Sequence, residues 1–249
     1  MTPDSLQSPA LSVRHGFFTR RGGVSTGPFA SLNCSVSSAD DPAHVAANRA
    51  AVTTWLGATQ LLGATQVHGI DVATVTDPWA TGQGPRADAL VTARPGLALG
   101  VVTADCTPVL LEDAEAGIVG AVHAGWRGAV AGVLEATVHA MRALGATRIT
   151  AAIGPSIRQK SYEVRADLRD AVLSRDPADA RFFAGGRPDH WQFDLAGYCA
   201  ARLADLATVD TIDADTAAEP DRFFSHRRRT LEASGPLGHQ ISAIVLEPR

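Results

Sequence analysis

"LALGVVTADCTPVLLEDAEAGIVGAVHAGWRG", residues 97–128, is the stretch on which the fold turns. Its runs ALGVVTAD, TPVLLED and AGIVGAVHA are rich in Val, Ile and Leu and too short for helices. Each therefore reads as a buried strand, with DAEAG supplying a turn before the last. Beyond the glycines of HAGWRG, Val130, Val133, Leu134, Val138 and Met141 recur at three- and four-residue steps, which marks one face of a helix. Where the strand stops, an imidazole, an indole and a guanidinium (His123, Trp126, Arg127) surround two glycines. A core needs none of the three there, so they are expected to face a site.

Working outward, "GFFTRRGGVSTGPFASLN" (16–33) reads as a strand entering a Gly-rich loop. "DPAHVAANRAAVTTWLG" (41–57) reads as a helix with Asp41 at its N-cap. ATQVHG, VATVT and ADALVTA are short β-rich runs, and RITAAIGP (148–155) and HQISAIVLEP are strands. ADLRDAVLS and DLAGYCAARLADLA read as helices, each with Asp near its start. Mixed strands with interposed helices predict an α/β or α+β fold. Without repeat or linker, the expectation is one domain over 13–249 behind a loose segment at 1–12.

The 249 residues are 45% hydrophobic and 19% charged, a globular composition. A net charge of −4 argues against nucleic acid as a partner. Of 22 cationic residues only Lys160 is a lysine, so a single arginine here is weaker evidence of function than usual. Three scattered cysteines (Cys34, Cys106, Cys199) are too few for a disulfide framework and suggest a reducing compartment. No signal-peptide pattern opens the chain and no apolar run reaches spanning length. The expectation is a cytoplasmic protein without a membrane partner, either monomer or homodimer.

Cys106, His123 and His68 each stand where a strand is expected to stop. Two imidazoles and a thiolate are a good zinc set, and three ligands leave a position open. Other readings stay open: Cys106 as a nucleophile with His123 or His68 as its base, or copper. Multicopper oxidation needs many more ligands, and His15, His44, His139, His190, His226 and His239 lie in unlike contexts, His139 on a helix surface. Asp105 is a candidate to orient a ligand histidine, or else pairs with an arginine. Gln66 shares a face with His68 and is expected to touch what His68 touches. Arg127 at a helix start, and Arg20 with Arg21 in FTRRGGVS, suit an anion. Neither site is a P-loop or dinucleotide fingerprint. In FFSHRRR (223–229), Arg228 and Arg229 read as solvated charge.

Taken in order, FTRRGGVS, QVHG, ADALVT, TADCTPVLL, AVHAGWRG, IGPSI, YEV and FFSHRR resemble the YfiH-like family, over roughly residues 13–247. That family is also called the polyphenol oxidase or laccase-domain family, and the peptidoglycan editing factor family. The resemblance implies a single α/β domain of layered mixed sheets flanked by helices. It implies a Zn2+ site formed by His68, Cys106 and His123. The implied activities are phosphorolysis of adenosine, inosine, guanosine and methylthioadenosine, and hydrolytic deamination of adenosine. Small-molecule nucleosides and phosphate are then the partners. In that chemistry Arg20 and Arg127 are expected to grip phosphate, Trp126 or Phe18 to cover a purine face, and Asp105 to serve as general acid. Other members are linked to removing misincorporated serine from peptidoglycan precursors, an amidase reaction for a zinc-activated water or for Cys106. Two stretches depart from the family pattern. Arg158, Gln159, Lys160 and Ser161 replace a Gly-Pro and cysteine pair before YEV, and RTLEASGPLGHQ follows SHRR in place of an acidic, Gly-rich turn. Both are expected to reshape the pocket rim.

Overall fold

The computed structural model describes residues 2–247; Met1, from the segment expected to be loose, and residues 248–249, at the end of the expected domain, lie outside them. Period-two alternation divides the apolar residues among three cores, and the cores set the layers. In β6 (Leu97–Thr103), Leu97, Leu99 and Val101 face one core while Ala98 faces another. In β14 (Gln240–Val245), Ile244 joins the first core and Ile241, Ala243 and Val245 the second. These two antiparallel strands lie inside a five-stranded sheet with β1 (Ser5–Leu6), β2 (His15–Phe18) and β3 (Gln60–Leu62), in the order β1-β2-β14-β6-β3. Its outer face is covered by α1 (Pro42–Trp55), where Val52 packs with Phe18 and Leu61. Asp41 caps that helix by accepting the Ala43 N–H, as expected.

The inner face meets a six-stranded sheet, ordered β13 (Thr208–Thr211), β9 (Thr150–Ile153), β7 (Thr107–Asp113), β8 (Ile118–Ala124), β5 (Ala89–Thr92), β4 (Val72–Thr74). Leu90, Leu110, Val119 and Ala121 point between the sheets, and Ala89, Val109, Leu111 and Val122 point to the far side. There α3 (Val133–Ala143) and α5 (Leu195–Leu203) cover them with Leu134, Val138, Met141 and Leu203. The result is four layers, helix–sheet–sheet–helix. A small sheet of β10 (Glu163–Val164), β12 (Trp191–Phe193) and β11 (Phe183–Gly185) packs at the side with α4 (Ala166–Arg175). Two further short helices, α2 (Trp126–Ala131) and α6 (His226–Glu232), carry residues of the site. No helix among the described residues is long and apolar enough to cross a membrane.

Three local expectations need correction. The helix after HAGWRG is two helices, broken at Gly132, whose φ of 109° only glycine adopts without strain. ATQVHG is not a strand; Thr65 makes a single bridge to Arg86 and the rest is loop. Residues 2–12 are not loose. Ser5 and Leu6 pair with β2, Leu11 is buried, and the Ser8 N–H donates to His15 Nε2 at 3.0 Å. Glu112, buried on β7, completes the hold by accepting the N–H groups of Ser12 and Val13 at 2.8 and 2.9 Å. A buried carboxylate needs such partners, and the N-terminal segment supplies them.

Candidate functional site

On β8, Val119 and Ala121 face the space between the sheets, and His123 is next on that face, at the strand's end. Asp88 likewise continues the face of Leu90 just ahead of β5. The β5–β8 register sets Ala89 opposite Val122, which brings Asp88 beside His123. The His123 Nδ1–H donates to Asp88 Oδ1 at 2.8 Å and leaves Nε2 free to act as a ligand. Cys106 immediately precedes β7, whose Thr107 lies opposite Ala124, so its thiol arrives next to His123. His68 comes from the loop after β3, in the left-handed region at φ 60°. That loop is wrapped around the same carboxylate. The N–H groups of Val67, His68 and Gly69 all donate to Asp88, at 3.1, 2.9 and 2.7 Å. One buried aspartate therefore positions both imidazoles.

The ligand atoms of His68, Cys106 and His123 lie within 4.8 Å of one another, and Cys106 Sγ is 3.8 Å from His68 Nε2. A sulfur and a nitrogen bound tetrahedrally to one zinc would be about 3.6 Å apart. The donor set and its spacing fit a single ion of that kind. The glycines of HAGWRG make the approach possible. A Cβ on Gly125 would stand 2.6 Å from His68 Cδ2 and 3.2 Å from Cys106 Sγ, and one on Gly128 would stand 2.8 Å from the Gly69 carbonyl oxygen.

Charge is concentrated here. Burial works against ionising Cys106, but the charge of His123 and hydrogen bonds from both histidines outweigh it and bring the thiol down to about 6. Burial likewise opposes the His123 imidazolium, and the Cys106 thiolate and Asp88 overcome it, raising His123 to about 9. Asp88 is held below the usual carboxylate range: burial pushes it up, and the His123 hydrogen bond with the Gly69 and Val67 N–H groups pulls it further down. The other two cysteines go the opposite way; burial raises the Cys34 thiol to about 12 and Cys199 higher still. Only Cys106 is a ready thiolate.

The cluster opens into a cavity of about 610 Å³, within the usual range for small-molecule sites. Arg49, Arg127, Arg227 and four histidines line it, against Asp105 as the one carboxylate among its described lining residues. A chain with net charge −4 thus surrounds this space with cations.

Of the remaining sequence candidates, Trp126 and Arg127 do line the cavity. Trp126 packs one side against the helix-side core and carries the Arg127 guanidinium 4.4 Å above its ring. The others require correction. Asp105, at φ 92°, turns its carboxylate away from both imidazoles and accepts the Thr216 and Ser225 hydroxyls and the Arg227 N–H at 2.7, 2.9 and 2.6 Å. With its oxygens so committed it fits neither the orienting role nor that of a general acid. Arg20 donates to the carbonyls of Ala30 and Pro220 and stacks over Phe224, on a shallow surface patch outside the cavity. Phe18 is buried edge-on against Trp55 and does not line the cavity. Gln66 lines the cavity, but its amide pairs on both sides with the Val102 backbone. Arg228 is not solvated charge: it donates to the carbonyls of Thr216, Ala217 and Phe223, and Arg229 is half-buried. Of the two departures from the family pattern, the first faces away from the cavity, with Arg158 on the Ile212 and Ala214 carbonyls and Ser161 on Asp215. The second reaches the cavity through His239.

Sequence reasoning missed Asp88 and, among the residues that line the cavity, Arg49, Tyr162 and His239. The available signal for Asp88 was an acid two residues ahead of a buried leucine in ADALVT, on the face that strand alternation turns inward.

The chain matches the family model described as "Multi-copper polyphenol oxidoreductase laccase" over residues 14–247. It is 45% identical to purine nucleoside phosphorylase ORF3 of Streptomyces griseus, covering 90% of this chain and 93% of that one. It is 41% identical to a protein named purine nucleoside phosphorylase from Deinococcus radiodurans, covering 98% and 93%. Among solved structures, Neisseria meningitidis protein NMB0706 superposes with a TM-score of 0.88 at 33% identity over the whole of both chains. YlmD from Geobacillus stearothermophilus superposes with a TM-score of 0.89 at 29% identity, covering 99% and 100%.

Proposed function

This chain belongs to the YfiH family, and from that premise we propose that it is a zinc-dependent purine nucleoside phosphorylase. Its substrates on this reading are adenosine, inosine, guanosine and methylthioadenosine, with hydrolytic deamination of adenosine as a second activity. The observation that carries the proposal is the His68–Cys106–His123 cluster, set by Asp88 at the wall of a cation-lined cavity. One thiolate and two imidazoles in tetrahedral reach of a common centre suit zinc. Several coppers would need further clusters, and this is the one group of three or more such ligands among the described residues. When bound, zinc supplies Lewis acidity at the position its three protein ligands leave open.

The chain's own residues do the rest. Asp88 keeps the proton on His123 Nδ1, so Nε2 stays available to the ion. In phosphorolysis a phosphate oxygen bonds to the sugar C1′ as the C–N bond to the purine breaks, and the purine leaves with the bonding pair and takes up a proton. Arginines around the cavity hold the phosphate and offset its charge. Exposed Arg127, fixed over Trp126, draws the anion in. Burial first, and then the charge of Cys106, push the Tyr162 phenol up, so it keeps its proton and can donate to the leaving base.

A second reading has one observation in its favour. Cys106, His123 and Asp88 are also ordered as nucleophile, base and orienting acid, which would suit an amidase acting on a peptidoglycan precursor. Incubating zinc-replete protein with adenosine, with and without phosphate, separates the readings by chromatography. Adenine and ribose-1-phosphate, formed only with phosphate, are expected, together with a smaller yield of inosine. No turnover of nucleosides, alongside cleavage of a serine-containing muropeptide, would overturn the proposal.

A further inference from the structure

Beside the metal cluster, the same cavity is lined by a second set of polar groups that the protein itself does not satisfy. Arg49, midway along α1, is 9% exposed. Its guanidinium donates to the carbonyls of Cys34 and Leu61, both at 3.2 Å, which uses two of five N–H donors. Burial lowers its pKa, and the one charge opposing that is the Cys34 thiol, itself pushed up to about 12 and therefore neutral. A buried cation ordinarily has a counter-charge. Arg49 has none among the described residues.

Two orphan groups keep it company. Thr103, the last residue of β6, is buried and its Oγ1 has no partner. His239 has a buried Nδ1 without a partner. The β6–β14 register sets Thr103 opposite Gln240, next to His239. The peptide of Cys34 ties the set together: its N–H donates to the His239 carbonyl at 3.1 Å and its carbonyl accepts from Arg49. Gly63 leaves the guanidinium uncovered, since a Cβ there would stand 3.8 Å from Arg49 Nη2. Folded proteins leave few buried polar atoms unpaired, and these line one cavity together.

A ligand that pairs with a buried guanidinium, a hydroxyl and an imidazole nitrogen is rich in polar oxygens and carries negative charge to balance Arg49. A nucleoside is neutral and cannot balance Arg49. The geometry points to a subsite for inorganic phosphate formed by Arg49, Thr103 and His239, the place where the anion drawn in past Arg127 comes to rest. Its role as co-substrate site rests on the phosphorolytic reading; its binding of phosphate does not.

The test is a titration of the zinc-loaded full chain with inorganic phosphate alone, read by phosphorus NMR and calorimetry. Loss of a charged donor weakens binding by about 20-fold in Arg49→Gln, and loss of the hydroxyl by about fivefold in Thr103→Val. Arg49→Lys, which keeps the charge and a donor to the carbonyls, returns to within about fivefold of the parent. In turnover the same variants raise KM for phosphate by like factors, while KM for inosine and zinc content stay within about twofold. A purely structural arginine would not separate the two KM values. Should Arg49→Gln fail to fold, Thr103→Val and Arg49→Lys still discriminate in the same way. Unchanged phosphate affinity in the folded variants overturns the assignment, as does displacement of phosphate by a nucleoside 5′-monophosphate at a tenfold lower concentration. Phosphate binding that depends on Arg49 in a protein that turns over no nucleoside would uphold the subsite and sink the phosphorylase reading instead.

Discussion

Asp88 and Asp105 are both buried carboxylates lying just ahead of strands of the same sheet, and each gathers three N–H or O–H donors from a segment distant in the chain in addition to any other bond. Around Asp88 the donors are the backbone of the His68 loop, and a free bonding direction remains for His123. Around Asp105 they come from Thr216, Ser225 and Arg227, and they tie the C-terminal segment to the sheet. One aspartate builds the His68–Cys106–His123 cluster and the other builds the wall behind it. Adjacency to Cys106 in the chain made Asp105 the natural suspect. Backbone direction decided otherwise, because a left-handed residue at φ 92° sends its side chain out of line with its neighbours.

Removing the cluster itself should have the largest effect. Cys106→Ala and His123→Ala should each leave under a tenth of the parent's bound zinc by elemental analysis and reduce phosphorolysis about 1000-fold, because catalysis by a metal ends when its ligand set is broken. Asp88→Asn should weaken zinc about 10- to 100-fold in a chelator competition. Asp105→Asn should leave zinc affinity within about twofold and instead cost about 2–4 kcal/mol in urea unfolding, since it breaks buried, charge-assisted bonds. Equal losses of zinc in the two variants would erase the distinction.

Gly125→Ala comes third: its methyl would meet His68 Cδ2 at 2.6 Å and must push that ring aside. Zinc affinity should fall about tenfold with the fold retained by circular dichroism. The smallest effect concerns a third aspartate, Asp113, which clamps a turn with no imidazole attached. Burial opposes its ionisation, but the N–H groups of Ala116, Arg148 and Thr147 hold it below its ordinary value of 3.8. Its contribution to stability is complete above that value and is lost as pH falls through the lower folded value. Asp113→Asn should therefore be less stable than the parent at pH 6, with the gap closing below about pH 4 while zinc binding at pH 7 is untouched. A constant gap across that range would remove the carboxylate from the explanation.

The strands of 97–124 were legible because their runs are too short and too rich in Val and Ile for helices. The layering came only with the family resemblance, since strands buried on both faces show no polar alternation to say which side meets which core. His68, Cys106 and His123 were legible as a set because each stands where a strand was expected to stop, although His68 lies in the loop after β3. Their shared support was not. Asp88 lies 20 residues from His68 and 35 from His123, and only the β5–β8 pairing brings it to them. Arg20 and Arg127 looked equivalent as anion ligands in sequence. The fold uses one on backbone carbonyls and sets the other at a cavity. Arg49 escaped notice because a mid-helix arginine on a Pro-initiated amphipathic segment reads as solvent-facing until the sheet beneath it is known.

X-ray absorption at the metal edge, on the full chain purified without added metal, tests the central claim most directly. One zinc per chain, with one sulfur and two nitrogens at about 2.3 and 2.0–2.1 Å plus one further light atom, is the expected result. A first shell without sulfur, or several copper ions per chain, would contradict it.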